Sequence, residues 1–161
     1  MGVLVFLGVL GIGEWFLGAM WKDKNAELAA PYMTEELHKM YPFSSLAAES
    51  ATDVVLHMKR IGMGPGYTVW SYFQLPTIDD MDKFQRSILV YGESNYTSAS
   101  IEIDNVMRPR DHVERVPESI KSRWISISDT TGTHIRIFGK GEYMEWFLDE
   151  GSLRVLGLCT D

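Results

Sequence analysis

Cysteine is almost missing from this chain of 161 residues, with Cys159 the sole example. One cysteine closes no internal disulfide, so no covalent staple supports the fold and none marks an oxidising compartment. Positive charge is scarce too. Fifteen Lys and Arg stand against 22 Asp and Glu, a formal net charge of −7. Such a balance lacks the basic surface that phosphate backbones attract, so no nucleic-acid partner is expected. Internal repeats and low-complexity tracts are absent, as are a nucleophile elbow and a zinc-type Cys/His spacing. No cofactor and no metal are therefore expected. What is there is a globular composition, 45% hydrophobic and 23% charged. A chain of this length and composition buries a core without staples.

The apolar residues are unevenly placed. From Gly2 to Trp21 the chain reads GVLVFLGVLGIGEWFLGAMW, in which Glu14 is the sole ionisable side chain. A helix needs about 20 residues to cross the hydrocarbon core, and this run just reaches that length. Trp15 and Trp21 gather toward its end, and Lys22 and Lys24 follow, as interfacial anchors do. Gly8, Gly11 and Gly18 fall along one broad side of such a helix and would let a second helix approach closely. A carboxylate such as Glu14 near mid-bilayer costs about 2.5–3.5 kcal/mol on insertion scales, which favours a packed anchor over a solitary one. The expectation is a single-pass membrane anchor over residues 1–24, packed against other transmembrane subunits through Gly8, Gly11, Glu14 and Gly18. Lysines after the segment and none before place the C-terminal domain on the cytoplasmic side, by a small margin. Three rivals remain. A lipid anchor at Met1-Gly2 would want Ser or Thr at the sixth position, where Phe6 stands. A cleaved signal would want a basic start, which is lacking. A soluble strand and helix would use Gly11-Ile12-Gly13 as the break.

Residues 25–161 read as a single α+β domain. An interrupted helix is expected over Asn25–Tyr41, broken at Pro31 and resumed at Thr34. Leu46, Val54, Met58 and Ile61 recur at helical spacing, so Ser45–Ile61 is expected to be a long helix stopped by Gly62. Pro76-Thr77-Ile78-Asp79-Asp80 resembles a capping box that opens a short helix to about Gln85. Beyond Gly66 the period turns to two. Strands are expected at Tyr67–Leu75, Ser87–Tyr91, Thr97–Ile103, around Ile125 and Ile127, at Ile135–Ile137 and at Leu153–Leu158. Asp129-Thr130-Thr131-Gly132 would turn one hairpin, and Glu142–Glu150 would form an amphipathic helix. The sum is a mostly antiparallel sheet of five to six strands with helices packed on one face.

Few residue groupings carry chemistry. Glu49, Asp53 and His57 repeat every four residues, as metal ligands or as the solvated flank of a helix. Gly62-Met63-Gly64-Pro65-Gly66 lies between a helix and a strand, the wrong polarity for a phosphate loop, and reads as a turn. Met107–Arg123 is the one locally basic stretch; Arg108, Arg110 and Arg115 are its candidates for an anionic ligand or partner, against the plainer reading of a short solvated helix from Asp111. Glu102, His134 and Arg136 share the polar face of the expected sheet and would make an acid/base cleft if the strands bring them together. Asn95-Tyr96-Thr97 matches a glycosylation sequon.

An apolar N-terminal segment before a compact α+β domain is similar to the layout of small membrane-tethered assembly factors of respiratory complexes. The likeness lies in order and spacing, without a shared motif, and implies an anchored accessory protein. The expected function is thus a non-enzymatic, single-pass accessory or assembly subunit of a larger membrane complex. The alternative is a soluble or periplasmic α+β domain that binds a small ligand.

Overall fold

A computed structural model of the chain describes residues 24–26, 51–60, 67–95, 100–139 and 143–160. Its elements run β1 (Lys24–Ala26), β2 (Thr52–Arg60), β3 (Tyr67–Gln74), α1 (Ile78–Asn95), β4 (Ser100–Asp104), a 3-10 helix (Pro109–Arg115), α2 (Glu118–Ile125), β5 (Thr133–Phe138), β6 (Tyr143–Asp149) and β7 (Arg154–Thr160). All strands join one antiparallel sheet in the order β1-β2-β3-β7-β6-β5-β4. Six of them span five to nine residues, and the three-residue β1 lines one edge. The expected α+β class holds. The helices, however, cover both faces of the sheet rather than one.

Helix α1 opens where the Pro-Thr signal lies. The Asp80 backbone N–H donates to Thr77 Oγ1 at 3.1 Å, and the Thr77 hydroxyl donates to Asp80 Oδ2 at 2.6 Å. Asp79 and Asp80 then suit the positive end of the helix dipole. The helix does not stop near Gln85 but continues to Asn95, so the strand expected at Ser87–Tyr91 is helical instead. Ile88, Leu89, Val90 and Tyr91 favour strands on propensity. Met81, Phe84 and Ile88 nevertheless form a fully buried stripe at helical spacing. Tertiary burial outweighs propensity here, since burying one large apolar side chain contributes about 1.5–3 kcal/mol. The stripe meets Leu56, Phe73, Ile135, Ile137, Trp146, Leu148 and Val155 from one face of the sheet. Phe84 sits edge-on to both Phe73 and Trp146, with centroids 5.2 and 5.3 Å apart.

The opposite face carries a second core. Met107, Val116, Ile120, Trp124 and Ile127, from the 3-10 helix, α2 and their flanks, pack on Val55, Trp70, Tyr72, Phe147 and Leu156. The expected strand around Ile125 and Ile127 is thus the end of α2 and the turn after it, with Trp124 buried and Ile125 exposed. Asp129–Gly132 consequently links a helix to β5 rather than turning a hairpin.

Two further expectations fail for one reason. Ser45–Ile61 was the expected long helix, yet Thr52–Arg60 is strand β2; Glu142–Glu150 was an expected helix, yet Tyr143–Asp149 is strand β6. A sheet covered on both faces buries both sides of its inner strands, so the alternation that identifies a strand disappears. In β6, Met144, Trp146 and Leu148 enter one core while Phe147 enters the other. Val54 and Met58, four apart, share a side in a helix and in a strand alike. A bulge between Thr52 and Val55, with Asp53 at φ 47°, shifts the register further. Asn25 and Ala26 lie in β1 rather than in a helix; the rest of Asn25–Tyr41, residues 45–50 and the Gly62–Gly66 turn lie outside the described residues.

Close approach sets one position absolutely. A Cβ on Gly157, in β7, would lie 2.4 Å from Ser71 Oγ and 2.4 Å from a ring carbon of Trp146. Gly157→Ala is expected to destabilise the domain by about 1–3 kcal/mol, the usual cost of overpacking a core. Gly151→Ala, whose Cβ would meet Asp149 Oδ1 at an ordinary 3.5 Å, should change stability by much less. Equilibrium urea unfolding of both variants checks this, and equal effects would contradict it.

Candidate functional site

The second core covers only part of its face. Toward the β4 edge the same face turns polar, because β4, β5 and β6 pair Glu102 with Arg136, Asp104 with His134, Arg136 with Glu145 and Phe138 with Tyr143. Residues directly opposite share a side, so these groups form a patch. The chain from Val106 through the 3-10 helix passes beside it and adds Arg108, Asp111 and His112. Between them lies a cleft of about 520 Å³.

The wall that supplies His112 is held firmly. Trp124 Nε1 donates to the Pro109 carbonyl at 2.6 Å, and Pro109 itself is buried. Asp129 receives Arg110 Nε at 3.3 Å and the Arg110 backbone N–H at 3.4 Å. The 3-10 helix is tied at its start, and its next turn delivers His112 over the sheet.

At the floor lies Glu145, 2% exposed. A carboxylate is almost never buried without partners. His134 Nε2 stands 2.7 Å from its Oε1 and His112 Nε2 stands 3.4 Å from the same oxygen. Both imidazoles therefore present Nε2–H to one acceptor. Phe147, fully buried, supports both rings: His134 stacks on it at 4.3 Å and 17°, and His112 meets it edge-on at 5.7 Å. Burial pushes the Glu145 carboxyl up, but hydrogen bonding from His112 and His134 outweighs it and brings the pKa down to about 2. Hydrogen bonding to Glu145 raises His112 above 6.5, against its own burial. Burial, then the Glu145 charge, raises the Tyr143 hydroxyl, which stays protonated.

Beside Glu145, Arg136 is clamped by two carboxylates, with Nη2 2.6 Å from Asp104 Oδ2 and 3.2 Å from Glu102 Oε2. Among the described residues of the cleft, Arg136 Nε and Glu145 Oε2 are buried without a hydrogen-bond partner. An acceptor left so costs about 1–3 kcal/mol, more when charged. Buried polar groups usually find a partner, so this pair stands out in the cleft.

The expected trio of Glu102, His134 and Arg136 does converge. His134 and Arg136 are two apart on β5, and Glu102 faces Arg136 from β4. Sequence reasoning missed Glu145, because the segment holding it reads as a helix, and missed His112 and Asp104, which join only through the tertiary fold. The alternation Tyr143-x-Glu145 was the available signal. Of the three basic candidates only Arg108 lines the cleft; Arg110 is occupied by Asp129, and Arg115 is exposed and does not line it. The Asp53 and His57 pair does not form a cluster either. Arg123 binds Asp53 at 3.0 Å, while the buried His57 presents Nδ1 to Ser119 Oγ at 3.3 Å. Glu49 lies outside the described residues, as do Gly8, Gly11, Glu14, Trp15, Gly18, Trp21 and Lys22; the backbone of Lys24 opens β1 opposite Met58. Among the described residues no helix is long and apolar enough to cross a membrane, and no group of three His, Cys, Asp or Glu is arranged to hold a metal.

The ionised cluster makes stability depend on pH in two directions. Glu145 is lowered, so its contribution is complete above 4.5 and is lost as pH falls toward 2. His112 is raised, so its contribution is complete below 6.5 and is lost as pH rises through its folded value. Together they stabilise most between 4.5 and 6.5. The thermal midpoint of His112→Gln should fall furthest below wild type in that window, and the gap should narrow on the alkaline side. A gap constant with pH would contradict the assignment.

Compared with family models, with characterised proteins and with solved structures, the chain matches none.

Proposed function

We propose that the α+β domain is a binding module for a small polar ligand, received in the cleft between the 3-10 helix and strands β4, β5 and β6. The observation that carries this reading is the buried Glu145, held ionised by two imidazoles and the Tyr143 hydroxyl across the strand pair from Arg136, with Glu145 Oε2 and Arg136 Nε left without a partner among the described residues. Ligand sites are concave and place a few polar groups on a supported frame. Here Phe147 and the Trp124–Pro109 hydrogen bond supply the support. The test is an NMR titration of the full-length chain with a set of small polar fragments. Binders should shift His112, His134 and Tyr143 resonances, and Glu145→Gln and Tyr143→Phe should weaken them while both variants unfold cooperatively. Binders that shift only other regions, or that ignore both substitutions, would refute the reading.

A second reading concerns the N-terminus and is compatible with the first. The run Gly2–Trp21, with Glu14 its one ionisable residue, supports a membrane anchor that joins the domain to a larger assembly as an accessory subunit. In it Gly8, Gly11, Glu14 and Gly18 form the packing face, and Trp15, Trp21, Lys22 and Lys24 lie at the interface. Mild detergent extraction should then release the protein at the size of a complex, and Glu14→Leu should shift it to a smaller size. Migration as a lone monomer in both forms would count against it.

A further inference from the structure

We propose that the cleft recognises a neutral polyhydroxylated ligand, a sugar or polyol, an inference that rests on reading the cleft as a ligand site. Three observations point to this class. The first is charge. The lining carries three carboxylates, Asp104, Asp111 and Glu145, against two guanidiniums, Arg108 and Arg136, and the imidazoles of His112 and His134. His112 and His134 face Glu145, and Arg136 faces Asp104 and Glu102, so much of this charge is already matched in pairs. Arg136 already spends its terminal nitrogen on Asp104 and Glu102. An anion or a cation entering the cleft finds little uncompensated charge of the opposite sign, and would surrender its hydration for a small return.

The second observation is the kind of hydrogen bonding still open. At the base of the cleft Arg136 Nε, a donor, and Glu145 Oε2, an acceptor, are buried without a hydrogen-bond partner among the described residues, on residues directly opposite across β5 and β6. A hydroxyl both donates and accepts at one oxygen. A phosphate or carboxylate ligand serves the guanidinium alone, and an ammonium serves the carboxylate alone. Around this pair, Asp104, Asp111 and Arg108 are planar groups with two adjacent polar atoms, suited to neighbouring hydroxyls.

The third is an aromatic wall. Phe138, 39% exposed, and Tyr143 stand with ring centroids 5.1 Å apart and tilted by 42° along the same cleft. An exposed phenylalanine in a charged cleft has no use to a small ion. It does give the C–H face of a sugar ring an apolar surface, while the ring's hydroxyls meet the polar side. A space of about 520 Å³ lies within the usual range for small-molecule sites, roughly 300–1,000 Å³.

The experiment titrates the full-length chain, in a non-glycosidic detergent, with glucose, galactose, maltose and glycerol, and in parallel with inorganic phosphate, acetate and ethanolamine. Saturation-transfer NMR and calorimetry read binding. At least one neutral compound should bind, with affinity falling about tenfold or more in Phe138→Ala and in Glu145→Gln. Phe138 is exposed, so its variant tests the site even if Glu145→Gln folds poorly. Binding of a charged compound alone, lost on Glu145→Gln, would overturn the sugar assignment and leave the ligand site standing. Sugar binding indifferent to both substitutions would overturn the assignment to this cleft. Silence from every neutral and charged compound would overturn both.

Discussion

A carboxylate at the bottom of a protein must be held by its neighbours, and Glu145 is held by two imidazoles with the Tyr143 hydroxyl as a third partner. His134 comes from the adjacent strand and His112 from the 3-10 helix that crosses above. The same oxygen therefore joins two layers of the molecule. Remove the imidazole of His112 and the helix loses its polar attachment to the sheet; remove Glu145 and two imidazoles crowd over Phe147 with no anion between them. The geometry of the cleft follows from this contact, since its opposing walls are the two elements that the carboxylate bridges.

The two cores explain how such a group is tolerated. On one face α1 and the sheet form a dry layer around Phe84 and Trp146; on the other, α2 and the 3-10 helix bury Trp124 and Phe147. That second layer stops short of the β4 edge, and the polar ends of β4, β5 and β6 are left beside it. Arg136 and its two carboxylates occupy this margin. Exposed pairs of this kind contribute little to stability individually. Their consequence is orientation, because they hold a guanidinium next to the buried carboxylate. The proposed ligand site thus lies where the apolar packing runs out.

Some of this was legible in the residues. The Thr77 cap, strands β3, β5 and β7, and the α+β class follow from turn chemistry and local pattern, which need no distant partner. The convergence of Glu102, His134 and Arg136 was likewise accessible, because β4 and β5 keep a visible alternation at the sheet's edge. The inner strands β2 and β6 were not legible. Apolar on both sides, they carry no period that separates a strand from a buried helix, and β6 holds the residue on which the cleft depends.

By itself, the sequence determined an acidic α+β chain with a single cysteine, a long apolar run near its start and a polar alternation in its late strands. Those properties are local: a cap, a period of two and a count of charges are each carried by a few consecutive residues. The tertiary structure alone decided that helices cover both faces, that Ile88 is helical and Trp146 in a strand, and that His112 meets Glu145. Each of these depends on burial against residues far away in the chain. A side chain's partner across a sheet is chosen by the strand order, which no local pattern encodes.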